Sequence, residues 1–205
     1  MLISKKYIPF AALFFFQSLS RGLMLSVIPI QALSIFGDAQ RISVLLFLVS
    51  IGGILAVLTV PKMIDRLGGY RAFVFGGSMM LISLLLLSFE DTVLFSIGLF
   101  FHVFAIAAVE VCLTLYALSR VPRFELTQFE PMRAFSTVSA LGVGPFTGVW
   151  LAEKIGHGSP FILSAVFVLI SVLYFRHLGL HELTLHQSGE LKGNPLRYFW
   201  TYMKR

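Results

Sequence analysis

Charge, cysteine and long polar stretches are what this chain has little of. Only 13% of its 205 residues are charged, Asp and Glu together number 10, and there is a single cysteine, Cys112. One thiol excludes both a disulfide framework and a cysteine metal cluster. The chain contains no His-Glu-x-x-His run, no Gly-x-Ser-x-Gly and no paired carboxylates within one apolar stretch, so the patterns of metallopeptidase and serine-hydrolase chemistry are missing. Neither metal nor cofactor is expected, and the chain reads as a non-enzyme. No polar segment is large enough to fold alone as a soluble domain.

What is present is apolar. At 57% hydrophobic residues and a mean hydropathy of +0.87, a soluble fold of this length could not hide its own apolar surface, so the chain is an integral membrane protein. Six segments reach the roughly 20 residues that cross a bilayer, at 7–35, 43–61, 70–89, 92–119, 132–152 and 160–178. Hydrocarbon offers nothing to an open backbone donor or acceptor, so these segments are helices. The expected architecture is all-α: a six-helix transmembrane bundle over 1–178, then a cytoplasmic linker with a basic amphipathic tail over 179–205. In that tail Tyr198, Phe199, Trp200 and Tyr202 alternate with Arg197, Lys204 and Arg205, a mixture suited to the headgroup layer rather than to nucleic acid.

The net charge of +6 is distributed with a clear bias. With the N-terminus in the cytoplasm, Lys5, Lys6, Lys62, Arg66, Arg71, Arg120, Arg123, Arg133, Arg176, Lys192, Arg197, Lys204 and Arg205 lie inside, against Arg41 and Lys154 outside. Excess Lys and Arg on the cytoplasmic side predicts both termini inside, in an inner or plasma membrane. Lys5 and Lys6 precede an apolar run too long for a signal peptide, so no cleavage is expected.

Polar groups within the spans are the candidates for function. Gln17, Ser18 and Arg21 share one side of the first helix. An arginine at mid-bilayer costs about 2.5–3.5 kcal/mol on insertion scales, so Arg21 faces protein or water, either as a structural group bonded to carbonyls or as part of a solute pathway. In the fourth span Glu110 lies opposite the small stripe Ala105, Ala108 and Cys112, which predicts one face packed on a helix and a carboxylate facing a cavity. Glu110 is then a candidate proton-binding group, with Arg21 as counter-charge; the alternative is a protonated glutamate bonded within the bundle. His102 is a weaker candidate beside them, with packing as its alternative role. His177 and His181 lack a third ligand and read as interfacial.

Backbone signals complete the reading. Gly52 and Gly53 permit close helix packing in the second span, and Ser136, Ala140, Gly144 and Gly148 make a small-residue groove on the fifth, with a kink expected at Pro145. Pro61 marks the end of the second helix, Gly68 and Gly69 allow positive φ in the turn that follows, and Pro131 sits at the first position of the fifth helix. Glu90-Asp91-Thr92 and Ser159-Pro160 cap the fourth and sixth helices.

Two of these stretches also resemble known sequence elements. Asp65-Arg66-Leu67-Gly68 followed by Arg71 resembles the loop between helices 2 and 3 of the major facilitator superfamily, and Gly144-Pro145-Phe146-Thr147-Gly148 resembles the Gly-Pro-x-x-Gly element in helix 5 of its antiporters. With six spans and both ends inside, the chain is similar to the N-terminal six-helix half of such a transporter. That resemblance implies two inverted three-helix repeats and a cavity lined by helices 1 and 4. It also implies a cytoplasmic gating loop at Asp65, Arg66, Gly68 and Arg71, and a helix 5 that packs against a second six-helix half or a partner chain. The activity it implies is secondary active transport of a small solute by alternating access, with proton-coupled antiport. Arg21, Glu110, Gln17 and His102 would form the substrate and proton pathway, with Glu110 as the coupling group and Arg21 as charge partner or anion ligand. The rival reading is a non-transporting membrane scaffold, which needs no intramembrane charge.

Overall fold

A computed structural model describes residues 7–179, and every described regular element is helical. The elements are α1 (Ile8–Phe36), α2 (Ala39–Leu67), α3 (Gly69–Leu87), α4 (Thr92–Arg120), a single 3-10 turn (Arg123–Glu125), α5 (Leu126–Lys154) and α6 (Ser159–His177). All six α-helices are long and apolar enough to cross a membrane. The expected tail at 179–205, Lys5, Lys6 and His181 lie outside the described residues, apart from Gly179.

The two halves repeat each other. Helices α1, α2 and α3 have 29, 29 and 19 residues, and α4, α5 and α6 have 29, 29 and 19 again. Each repeat lends its middle helix to the other: α5 packs on α1, and α2 packs on α4. The third helices close the back of the bundle, α3 against α4 and α6 against α1. This exchange is the inverted pair of three-helix repeats that the resemblance implied.

Side-chain size explains which helices meet. A Cβ on Gly144 would lie 2.6 Å from backbone atoms of Gly22, and one on Gly22 would lie 3.0 Å from the carbonyl oxygen of Ala140. At Gly148 the added carbon would overlap the Leu23 carbonyl. The groove on α5 thus takes in the backbone of α1. The sequence left this groove waiting for a second half, but its occupant is a helix of the same bundle. On α2 the same device is looser, because Gly52 and Gly53 face the side chains of Phe100 and Val103 rather than backbone.

Several expected boundaries move. α2 continues through Pro61 to Leu67 despite the bond and the space that the proline ring costs, and the Gly68 amide closes its end on the Ile64 carbonyl. Only Gly68 takes positive φ (82°) there, and Gly69 already begins α3. α5 begins at Leu126, so Pro131 lies inside its second turn; its missing donor falls opposite Thr127, which is exposed. Pro145 is likewise inside an unbroken helix. Asp91 caps α4 as expected, its carboxylate accepting from the amides of Val93 and Leu94 at 2.9 Å. Ser159 instead is the first residue of α6, and its hydroxyl donates to the carbonyls of Leu151 and Gly156, tying the turn back onto α5.

Buried side chains form two apolar layers with polar residues between them. One layer, at the Tyr7 end, holds Phe14, Phe73, Tyr116, Phe129 and Phe175; the other, at the Gly37 end, holds Leu23, Met80, Leu84, Phe95, Leu99 and Phe161. Phe73 and Phe175 stack at 4.0 Å between centroids, which ties α3 to α6. Val in place of Gly144 or Gly148 should therefore lower the thermal midpoint in detergent, at about 1–3 kcal/mol each for overpacking. Val in place of Gly142, where an added carbon meets nothing within 4 Å, should leave it unchanged. Equal effects at all three positions would show that α1 does not occupy the groove.

Candidate functional site

α1 is the central helix, and four consecutive faces of it do different work. Gln17 is buried and donates to the Met80 sulfur of α3 at 3.1 Å. Ser20 meets Ser164 of α6 at 2.7 Å. Gly22 fits the α5 groove, and Arg21, one residue away, turns toward α4. There its Nη1 donates to Oε2 of Glu110 at 2.5 Å.

The wheel reading of α4 agrees with this placement. Ala105, Ala108 and Cys112 are buried, and Ala108 abuts Gly76 of α3, which leaves Glu110 on the opposite side. The pair lines a cavity of about 660 Å³ between α1, α2, α4 and α5. Its walls are Ile54 and Val57 of α2 and Val103, Ile106, Ala107 and Val111 of α4, with hydroxyls from Ser50 and Thr137. Side-chain exposures of 29% for Arg21 and 36% for Glu110 mean that the ions are paired yet within reach of a solute. Pairing answers the insertion cost, because each ion supplies the opposite charge that bilayer solvent cannot.

Gln17 and His102 are not brought to this cavity. His102 is buried against α3, where its Nδ1 lies 3.1 Å from the Ser83 hydroxyl, and Ser83 in turn donates to the Met80 carbonyl. Gln17, Met80, Ser83 and His102 thus form one buried polar string between α1, α3 and α4. Its members Met80 and Ser83, and the separate pair Ser20 and Ser164, went unnoticed in the sequence, because a serine or methionine within a span gives no sign of its partner 19 to 144 positions away.

The turn residues Asp65, Arg66 and Arg71 are exposed at the Tyr7 end, and no ion pair among the described residues involves them. Nearby on α5, Arg133 pairs with Glu130 at 2.8 Å and its guanidinium lies 5.2 Å from the centre of the Phe14 ring, a cation–π contact to α1. At the Gly37 end a second cleft of about 460 Å³ gathers Gln31, Glu90, Glu153 and His157. Nothing in the sequence linked these four, since they come from four different segments.

A family model described as Major Facilitator Superfamily matches residues 10–205, nearly the whole chain. No curated protein matches it.

A partly accessible ion pair lies between the exposed and fully buried cases, so its coupling energy should be about 1–3 kcal/mol. Thermal denaturation of Arg21→Gln, Glu110→Gln and the double variant measures it: each single change should destabilise, and the double change should cost less than their sum. Strict additivity would mean that the two charges do not interact.

Proposed function

Because this chain belongs to the major facilitator superfamily, a family of membrane transporters, we propose that it moves a small solute across the bilayer by alternating access, with Arg21 and Glu110 as the coupling site. The observation that carries this reading is the intramembrane ion pair on the wall of an open cavity. A scaffold gains nothing from two charges held in hydrocarbon, whereas a transporter needs a group whose charge changes during its cycle. Glu110 is that group, with a proton as the coupling ion, and Arg21 is its counter-charge. Gln17 and His102 act behind it, holding α1, α3 and α4 in register.

The membrane is an inner or plasma membrane, with the Tyr7 end cytoplasmic, as the basic residues of the α2–α3 turn and the ends of α4 and α6 support. Asp65, Arg66, Gly68 and Arg71 then form a gating loop on the cytoplasmic face, whose charges are available to a second body. The partner is a second six-helix bundle facing the cavity, in the same polypeptide or in another. Its support is the apolar exposure of the two helices that flank the site, at Phe47, Ile51 and Ile54 on α2 and at Phe135, Val138, Phe146 and Trp150 on α5. Antiport is the coupling suggested by the Gly-Pro-x-x-Gly element, but the glycines of that element already have a packing role against α1.

In proteoliposomes holding the full protein, Glu110→Gln should abolish the dependence of transport on the proton gradient. Asp65→Asn should slow turnover while leaving equilibrium solute binding intact. Unchanged rate and pH dependence in Glu110→Gln would exclude the coupling role, and weakened binding at normal turnover in Asp65→Asn would exclude the gating role.

A further inference from the structure

Resting on that reading of Arg21 and Glu110, we propose that the solute is an organic monoanion, a carboxylate on a small apolar body, and that it occupies the cavity together with one proton. The first support is conservation of charge. Empty, the cavity holds one cation and one anion, and its remaining lining is apolar or hydroxylic, so its net charge is zero. Among the described residues, no other charged side chain lines this cavity. α2 contributes Ser50, Gly53, Ile54 and Val57. On α5 the nearest charge is Arg133, one turn from Thr137 and already paired with Glu130. His102 of α4 lies within electrostatic range of Arg21 but is buried, with its Nδ1 on the Ser83 hydroxyl, and adds no charge as a neutral imidazole.

Net charge held in a low-dielectric site is costly, so a loaded cavity favours neutrality as the empty one does. A monovalent cation added to the pair leaves +1, and a monoanion alone leaves −1. A monoanion with a proton on Glu110 leaves zero. In that step the Glu110 carboxylate takes the proton, its contact with Arg21 Nη1 opens, and the solute carboxylate accepts from the guanidinium in its place. The new Glu110 hydroxyl is a donor for the same anion. No covalent bond in the solute changes and no electron moves.

A neutral solute would also satisfy charge balance, and the guanidinium decides against it. Glu110 engages Arg21 through one nitrogen only, and no other hydrogen bond of Arg21 occurs among the described residues. The planar fork of an arginine matches a carboxylate through two parallel N–H bonds, so the cavity offers an anion more than Glu110 itself takes up. Ile54, Val57, Val103, Ile106 and Val111 provide the wall for a hydrocarbon body, and about 660 Å³ lies in the size range of small-molecule sites. Since anion and proton load together, the coupling is symport rather than exchange.

Matched probes separate the possibilities: benzoate, benzamide and benzylammonium, with the corresponding hexanoate series, titrated into the purified full chain by calorimetry from about pH 8 to about pH 6. Carboxylic acids with an ordinary pKa of about 4 stay ionised throughout this window. The carboxylates should bind best and tighten as pH falls, by up to about tenfold per pH unit, the limit for one linked proton. Glu110→Gln, neutral and close in shape, should hold the carboxylates with the low-pH affinity at every pH. Arg21→Lys, which keeps the charge and loses the fork, should weaken them at least severalfold. Preference for the ammonium probes, abolished by Glu110→Gln, would overturn the monoanion and leave Glu110 as coupling group. Preference for the amides, or binding by none of the probes, would also overturn it. Carboxylate binding indifferent to both substitutions would remove this inference and the coupling site together.

Discussion

Backbone contact between α1 and α5 fixes where Arg21 can point. Gly22, Gly144 and Gly148 let the two helices approach until a single methyl group would collide with main chain, so α1 cannot rotate about its own axis. Neighbouring residues on a helix diverge by about a quarter of a turn. With Gly22 pressed into α5, Arg21 is directed to α4 and Ser20 to α6, and Gln17 lies against α3. A bulkier residue in the groove would displace the arginine from the cavity even if the bundle still formed.

Hydrocarbon then sorts the polar side chains into two kinds. Most of those turned into the bundle are paired with one another, Ser20 with Ser164, Gln17 with Met80 and His102 with Ser83, while the buried Ser171 hydroxyl has no partner among the described residues. They form a polar layer between two apolar ones, and separating them would expose donors to a solvent that cannot accept. Arg21 and Glu110 are paired as well, but their site is open, which is what the proposed exchange with a solute or a proton requires. The difference between a structural and an exchangeable polar contact is access, not chemistry.

The repeat gives this site its setting. Each three-helix unit surrenders its middle helix to the first helix of the other, which brings α1 and α4 to the centre and leaves α2 and α5 as the cavity's flanks. Both flanking helices are the least buried of the six. Their outward faces are apolar, suited to lipid or to a second bundle, while the cavity between them carries the charge. The ion pair thus lies on a face of the bundle that the repeat leaves open between α2 and α5.

Much of this was legible in the chain. Hydropathy fixed class and span number, because no other fold can hide so much apolar surface. The wheel of α4 set Glu110 apart from Ala105, Ala108 and Cys112, and the cost of a charge at mid-bilayer identified Arg21. Helix ends were less legible, since Pro61 reads as a helix end and Pro131 as a helix start, yet each lies inside a longer helix. Arg21 and Glu110 could be matched as the opposite charges within the spans, but the partner of each uncharged polar side chain was not legible. Ser164 lies 144 positions from Ser20, so nothing local distinguishes this pair from others. By itself the sequence determined a six-helix membrane protein with an arginine and a glutamate that had to be sheltered. Only the tertiary structure decided that they shelter each other, that α1 fills the groove on α5, and that Gln17 and His102 face away, because those outcomes depend on how helices rotate against one another and not on the period within any one of them.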